Sequence, residues 1–138
     1  MHVEEIEYEA DGRRMVGTFA VDDYRRGARP GVLVCHEGPG LDNHVKGRAI
    51  RLASFGYAAF ALDYQGDGVA PPFDQGMARL VELMVDPARV RALGRAGLDV
   101  LPRARHHGKR CARRRQAGSN ALPDLTFVAH PGDDSYPA

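Results

Sequence analysis

His36, Glu37 and Asp63 are the residues with which this chain could do chemistry. His36-Glu37-Gly38-Pro39-Gly40 breaks a short apolar run, Gly31-Val32-Leu33-Val34-Cys35, and Asp63 ends a second run over residues 57–62. Continuous apolar runs of this length predict strands buried on both faces. If the two are neighbours in a parallel sheet, His36, Glu37 and Asp63 all lie at the carboxyl ends of strands, where open α/β sheets bind ligands. A carboxylate at such a strand end can act as an acid or base, tuned by burial. The structural alternative stands beside each role: Glu37 bonding its own loop, and Asp63 capping the loop after its strand. Cys35 lies inside the first run and reads as a small buried hydrophobe. His36 and His44 with Cys35 or Glu37 could suggest a metal. There is no H-E-x-x-H and no second ligand pair at regular spacing, so neither a metal nor a cofactor is expected.

The elements that must position these residues follow from patterning. Asp42 or Asn43 can cap a helix running to about Phe55, with Val45, Ala49, Ile50, Leu52 and Ala53 inward. Gly56 is a natural left-handed stop. Two strands joined by this helix make one clear βαβ unit, right-handed and parallel. Before it, residues 3–9 alternate in character, Asp11-Gly12 signals a hairpin, and residues 13–21 form the return strand. Met15, Gly17, Phe19 and Val21 share one side of it. After Asp63 comes a loop, then a helix over residues 73–85 with Met77, Leu80, Val81 and Met84 at helical spacing. Asp86-Pro87 starts another helix. Its apolar stripe is Val90, Leu93, Ala96 or Gly97, Val100 and Leu101.

The chain has 138 residues and a formal net charge of +1, the size of one domain,. Charge is uneven: residues 1–101 hold 12 Lys/Arg against 15 Asp/Glu, and residues 102–138 hold 7 against 3. Two cysteines, Cys35 and Cys111, supply no disulfide framework and suit a reducing compartment,. The acidic start, MHVEEIEYEADG, reads as neither signal peptide nor anchor, and no apolar run is long enough to span a membrane,. A cytoplasmic protein is expected.

Patterning stops after Leu101. Residues 102–120 carry six Arg and one Lys, no acid, and no Val, Ile, Leu, Met, Phe or Tyr. Such a segment cannot bury enough apolar surface to offset its ordering entropy. The expected organisation is therefore a partial α/β domain over 1–101 and a disordered basic tail over 102–138. Only LPDLTFVAH, residues 122–130, could add a short strand. A doubly wound sheet should alternate strand and helix to its far edge. Here the sheet is prepared and not completed. A chain cut short, or altered by a change of reading frame near Leu101, would account for that.

PGVLVCHEGPGLD, its spacing to SFGYAAFALDYQGDG, the leading hairpin and the following helices resemble the N-terminal part of the dienelactone hydrolase family, within the α/β-hydrolase fold. The resemblance covers about the first three quarters of the chain and ends near Leu101. It implies an incomplete α/β-hydrolase sheet and hydrolysis of a small ester or lactone by a Cys or Ser nucleophile with a His and an Asp, without a metal. It also implies that Glu37 helps activate the nucleophile and that the backbone N–H of Gly38 helps form the oxyanion hole. The family's nucleophile sits on an elbow, G-x-C-x-G-G or G-x-S-x-G. This sequence has neither, and no catalytic His is recognisable. The nearest piece, Gly108-Lys109-Arg110-Cys111-Ala112-Arg113, lacks the trailing glycines and a preceding strand.

Two functions therefore remain open. One is a dienelactone hydrolase-like ester hydrolase that is not competent alone. The other is a non-catalytic remnant whose basic tail binds an acidic partner or nucleic acid. Arg113-Arg114-Arg115 could meet phosphate charge. No aromatic interleaves it and no nucleic-acid-binding motif accompanies it, so a solvated tail is expected over a nucleic-acid contact. No membrane partner is expected.

Overall fold

The computed structural model describes residues 1–24 and 29–101, together with the backbone of 105–106 and 109–110. The elements are β1 His2–Ala10, β2 Arg13–Val21, β3 Gly31–Val34, α1 Asn43–Ser54, β4 Ala58–Ala61, α2 Phe73–Met84 and α3 Pro87–Val100. Residues 105–106 pair antiparallel with 109–110. The rest of the expected basic tail lies outside the described residues. No described helix is long and apolar enough to cross a membrane.

The main sheet has the order β1-β2-β4-β3. β1 and β2 form the expected hairpin around Asp11-Gly12, whose left-handed φ values of 56° and 65° make the tight turn. β2 pairs antiparallel with β4, and β3 pairs parallel with β4 from Gly31↔Ala58 to Val34↔Ala61. The βαβ unit β3-α1-β4 is thus parallel, as its two apolar runs require.

Helices cover both faces. On one, Ala20, Ala59 and Ala61 of the sheet meet Leu41, Val45, Ala49 and Ala53. Alanine against alanine lets α1 lie close to the sheet, and all four β4 residues are buried. Asp42 caps α1 by accepting the Val45 N–H at 2.9 Å, and Gly56 follows its end at φ 98°. On the other face, Phe19, Val21, Leu33, Phe60 and Leu62 pack with Val100 and Leu101 at the end of α3. α3 approaches closely at Gly97, where a Cβ would stand 2.5 Å from Leu62.

Several sequence expectations change, and one of them is Ile50 of α1, expected inward but exposed. β3 is not buried on both faces: only Leu33 is buried, and among the described residues β3 pairs with β4 alone. Cys35 is not in that strand. The ladder with β4 ends at Val34, and Cys35 lies exposed beyond it. The inner face of α2 is Gly76, Arg79 and Leu83, while Met77, Val81 and Met84 are exposed and Leu80 is half-buried. The physical reason is polar anchoring. Arg79 Nε donates to the Tyr64 carbonyl at 3.2 Å, and its guanidinium lies 3.8 Å from Asp11 in the hairpin turn. Arg89 of α3 grips the same carboxylate through two nitrogens. These contacts fix the hairpin turn to both helices and turn the apolar stripe of α2 outward. Val90 of α3 is likewise exposed, while Leu93, Gly97 and Val100 are inward as expected.

Phe60 is fully buried at the centre of the α3-side core. Phe60→Ala should cost roughly 3–5 kcal/mol, combining lost transfer energy with a cavity. Urea unfolding should show the midpoint fall by the corresponding amount. A loss below about 1 kcal/mol would mean that this core is not the one that holds the sheet.

Candidate functional site

The chain leaves β3 and β4 at the same edge of the sheet, and the two loops that follow are built around one another. Asp63, fully buried, stands just after β4. Its carboxylate accepts four backbone N–H groups: Val16 of β2 at 3.1 Å, Gln65 at 3.0 Å, Gly66 at 2.8 Å and Gly68 at 2.8 Å. The Tyr8 hydroxyl donates to the Asp63 carbonyl and accepts the Asp63 N–H at 3.1 Å. Asp63 is the loop cap that its position after a strand suggests.

His36 is buried opposite, its ring stacked on Tyr64 with centroids 3.6 Å apart and planes 15° from parallel. Nδ1 lies 2.8 Å from the Glu37 carbonyl oxygen, and the Tyr64 N–H points at Nε2 across a long 3.4 Å. Burial holds the imidazole below its usual pKa, opposed by the bond to the Glu37 carbonyl and the charges of Asp63 and Asp42,. Both nitrogens are thus engaged within the loops.

Glu37 and Gly38 begin a turn closed by the Gly40 N–H donating to the Glu37 carbonyl at 3.1 Å. Gly40 has φ 98°, and a Cβ there would stand 2.8 Å from Pro71, so the turn needs a glycine,. Gln65 Nε2 donates to the Gly38 carbonyl at 2.7 Å. Gly38 packs beneath α2, where a Cβ would be 3.2 Å from Leu80 and 3.4 Å from Met77. The Gly38 N–H has no hydrogen-bond partner among the described residues.

The Glu37 side chain is exposed, where the sequence suggested a carboxylate enclosed by neighbouring loops. Burial pushes the Tyr64 hydroxyl well up, and the nearby Cys35 and Glu37 push it the same way. Protein atoms crowding one side of the exposed Cys35 thiol raise its pKa too. A raised thiol pKa is the reverse of what activates a nucleophile. Cys111 lies outside the described residues.

Two solved structures are similar to this chain. One, m3DLH, is 41% identical over 71% of this chain, with a TM-score of 0.67. A second, the dienelactone hydrolase-like promiscuous phosphotriesterase P91 from metagenomic libraries, is 35% identical over 72% of this chain, with a TM-score of 0.68. The chain resembles a dienelactone hydrolase. Its four-stranded mixed sheet and three helices resemble part of a dienelactone hydrolase fold, of the α/β-hydrolase kind. The chain spans about two fifths of the length of these relatives, 41% and 42%. No protein-family model and no curated protein matches the sequence.

Within this dienelactone hydrolase-like framework, the structure brings Glu37, Gly38, His36 and Asp63 to one edge of the sheet, as the strand ends require. Sequence reasoning missed Gln65 and Tyr64. Their signal was position: both follow a strand-end aspartate that turns the chain back toward the first loop.

The lowered His36 pKa has a consequence for stability. A depressed native pKa means the unfolded chain binds the proton first, so this contribution is complete above about 6.5, the ordinary imidazole value, and is lost as pH falls through the native pKa,. Urea midpoints should therefore drop on acidification below about 6.5. His36→Asn, which keeps a donor and cannot titrate there, should lose part of that slope. Equal slopes in both proteins would show that His36 is not held neutral by its surroundings.

Proposed function

We propose that residues 1–101 supply one side of a dienelactone hydrolase-like site for hydrolysis of a small ester or lactone. The Gly38 N–H would donate to the oxyanion, and Glu37 would assist the nucleophile. The observation that carries this reading is the open Gly38 N–H, on a turn held at the carboxyl edge of a sheet that matches m3DLH and P91. A donor that is positioned before reaction loses no reorganisation energy when charge develops on the substrate oxygen.

The nucleophile, its histidine and its acid would come from outside the described residues. Cys35 does not serve, given its raised thiol pKa, and His36 has both ring nitrogens engaged. Acyl transfer needs nucleophile, base and oxyanion donors together. The chain alone is accordingly proposed to be incompetent. A phosphotriester, whose hydrolysis also builds negative charge on oxygen, is a second substrate class suggested by the likeness to P91.

A chimera tests the assignment. Residues 1–101 would replace the matching part of m3DLH, leaving the remainder of that protein in place. The chimera should hydrolyse a p-nitrophenyl ester with multiple turnovers, and Glu37→Gln within it should lower kcat/KM about 10²–10⁴-fold. The separate 1–138 chain should show little turnover, unaffected by Cys111→Ala. A folded but inactive chimera, or one indifferent to Glu37→Gln, would contradict these roles.

A further inference from the structure

A backbone donor is useful only if its peptide cannot rotate, and the Glu37–Gly38 peptide is held by its carbonyl. Gly40 N–H reaches that oxygen at 3.1 Å, and His36 Nδ1 lies 2.8 Å from it. No described peptide bond is cis. In a trans peptide, C=O and N–H point in opposite directions. Fixing the Glu37 oxygen inward therefore fixes the Gly38 N–H outward, where it has no partner among the described residues.

We propose that His36 is a positioning residue whose Nδ1–H, donated to the Glu37 carbonyl, sets the direction of the Gly38 N–H. The imidazole is well placed for this. It is 3% exposed, stacked on Tyr64, and aligned with the Tyr64 N–H at Nε2. A carbonyl can accept only a proton-bearing Nδ1, and a backbone N–H can donate only to a bare Nε2. Both contacts select the same neutral tautomer. Turning the ring over would place carbon against the Glu37 oxygen and leave that carbonyl with the turn bond alone. The charges of Asp63 and Asp42 act on the ring, and Cys35 and Glu37 act on Tyr64 stacked against it. None of them offers a second donor to the Glu37 oxygen among the described residues.

The inference deepens the proposed oxyanion role of Gly38, yet the peptide's orientation can be measured without turnover. Nitrogen-15 spectra of the full 1–138 chain near neutral pH should show a protonated Nδ1 and a bare Nε2 for His36. The opposite tautomer would overturn the proposal whether or not the chain contributes to hydrolysis. His36→Phe keeps the ring stacked on Tyr64 but removes the donor. The Glu37 carbonyl carbon resonance should move upfield, and the Gly38 amide should shift or broaden. His36→Asn, which restores a donor near the Nδ1 position, should return both signals toward those of the unaltered chain. Unchanged Glu37 and Gly38 signals in a folded His36→Phe protein would overturn it. So would failure of folded His36→Asn to restore them. If His36→Phe does not fold, the tautomer of the unaltered chain still decides the question.

Discussion

The Asp63 carboxylate is the interaction on which this structure turns. One fully buried group receives N–H donors from β2 and from three residues of the loop after β4. Each buried N–H left without a partner would cost about 1–3 kcal/mol, so the loop has strong reason to keep this shape. Loop shape then sets the site. Tyr64 stacks on His36, Gln65 reaches the Gly38 carbonyl, and Gly68 comes within close range of Val16. The hairpin joins through Tyr8, which bonds both backbone groups of Asp63. The loops after β3 and β4 are thereby one polar assembly resting on an apolar sheet.

That sheet is unequally supported. β4 lies between two strands and under helices on both faces, and it is buried throughout. Among the described residues, β3 has a neighbour on one side and is only partly covered. The candidate donor at Gly38 follows the more exposed strand. Its rigidity comes from the polar contacts with the 63–68 loop and from the packing of Gly38, Gly40 and Gly76 against their surroundings. Gly76 allows α2 to approach the Gly38 carbonyl, where a Cβ would stand 3.1 Å from that oxygen.

Much of this was legible in residue order. Asp42 before an amphipathic run, Gly56 after it, and Asp11-Gly12 between alternating segments each encode local backbone geometry, and each element formed where its signal stood. The parallel pairing of β3 with β4 followed from two apolar runs joined by a helix. What was not legible depends on contacts distant in sequence. The inward face of α2 is decided by Arg79 meeting Tyr64 and Asp11, and apolar spacing alone pointed to the wrong side. Cys35 looked like core because its strand was taken one residue too far. His36 was placed at a strand end and weighed as a metal ligand, but its contacts were not legible. Its stacking and its bond to the next carbonyl depend on the return of the chain at Tyr64, which no local pattern announces.

The most direct test of the Asp63 clamp is amide hydrogen exchange at Val16, Gln65, Gly66 and Gly68. If the carboxylate ties β2 to the loop as described, all four amides should be protected in the native chain. Asp63→Asn offers one amide oxygen in place of two carboxylate oxygens. Protection should fall at two or more of these positions while Phe19 and Phe60, in the sheet core, keep theirs. Fast exchange at Gln65, Gly66 and Gly68 in the unaltered chain would contradict the account, because the loops at the candidate site would then lack the anchor from which their geometry is derived.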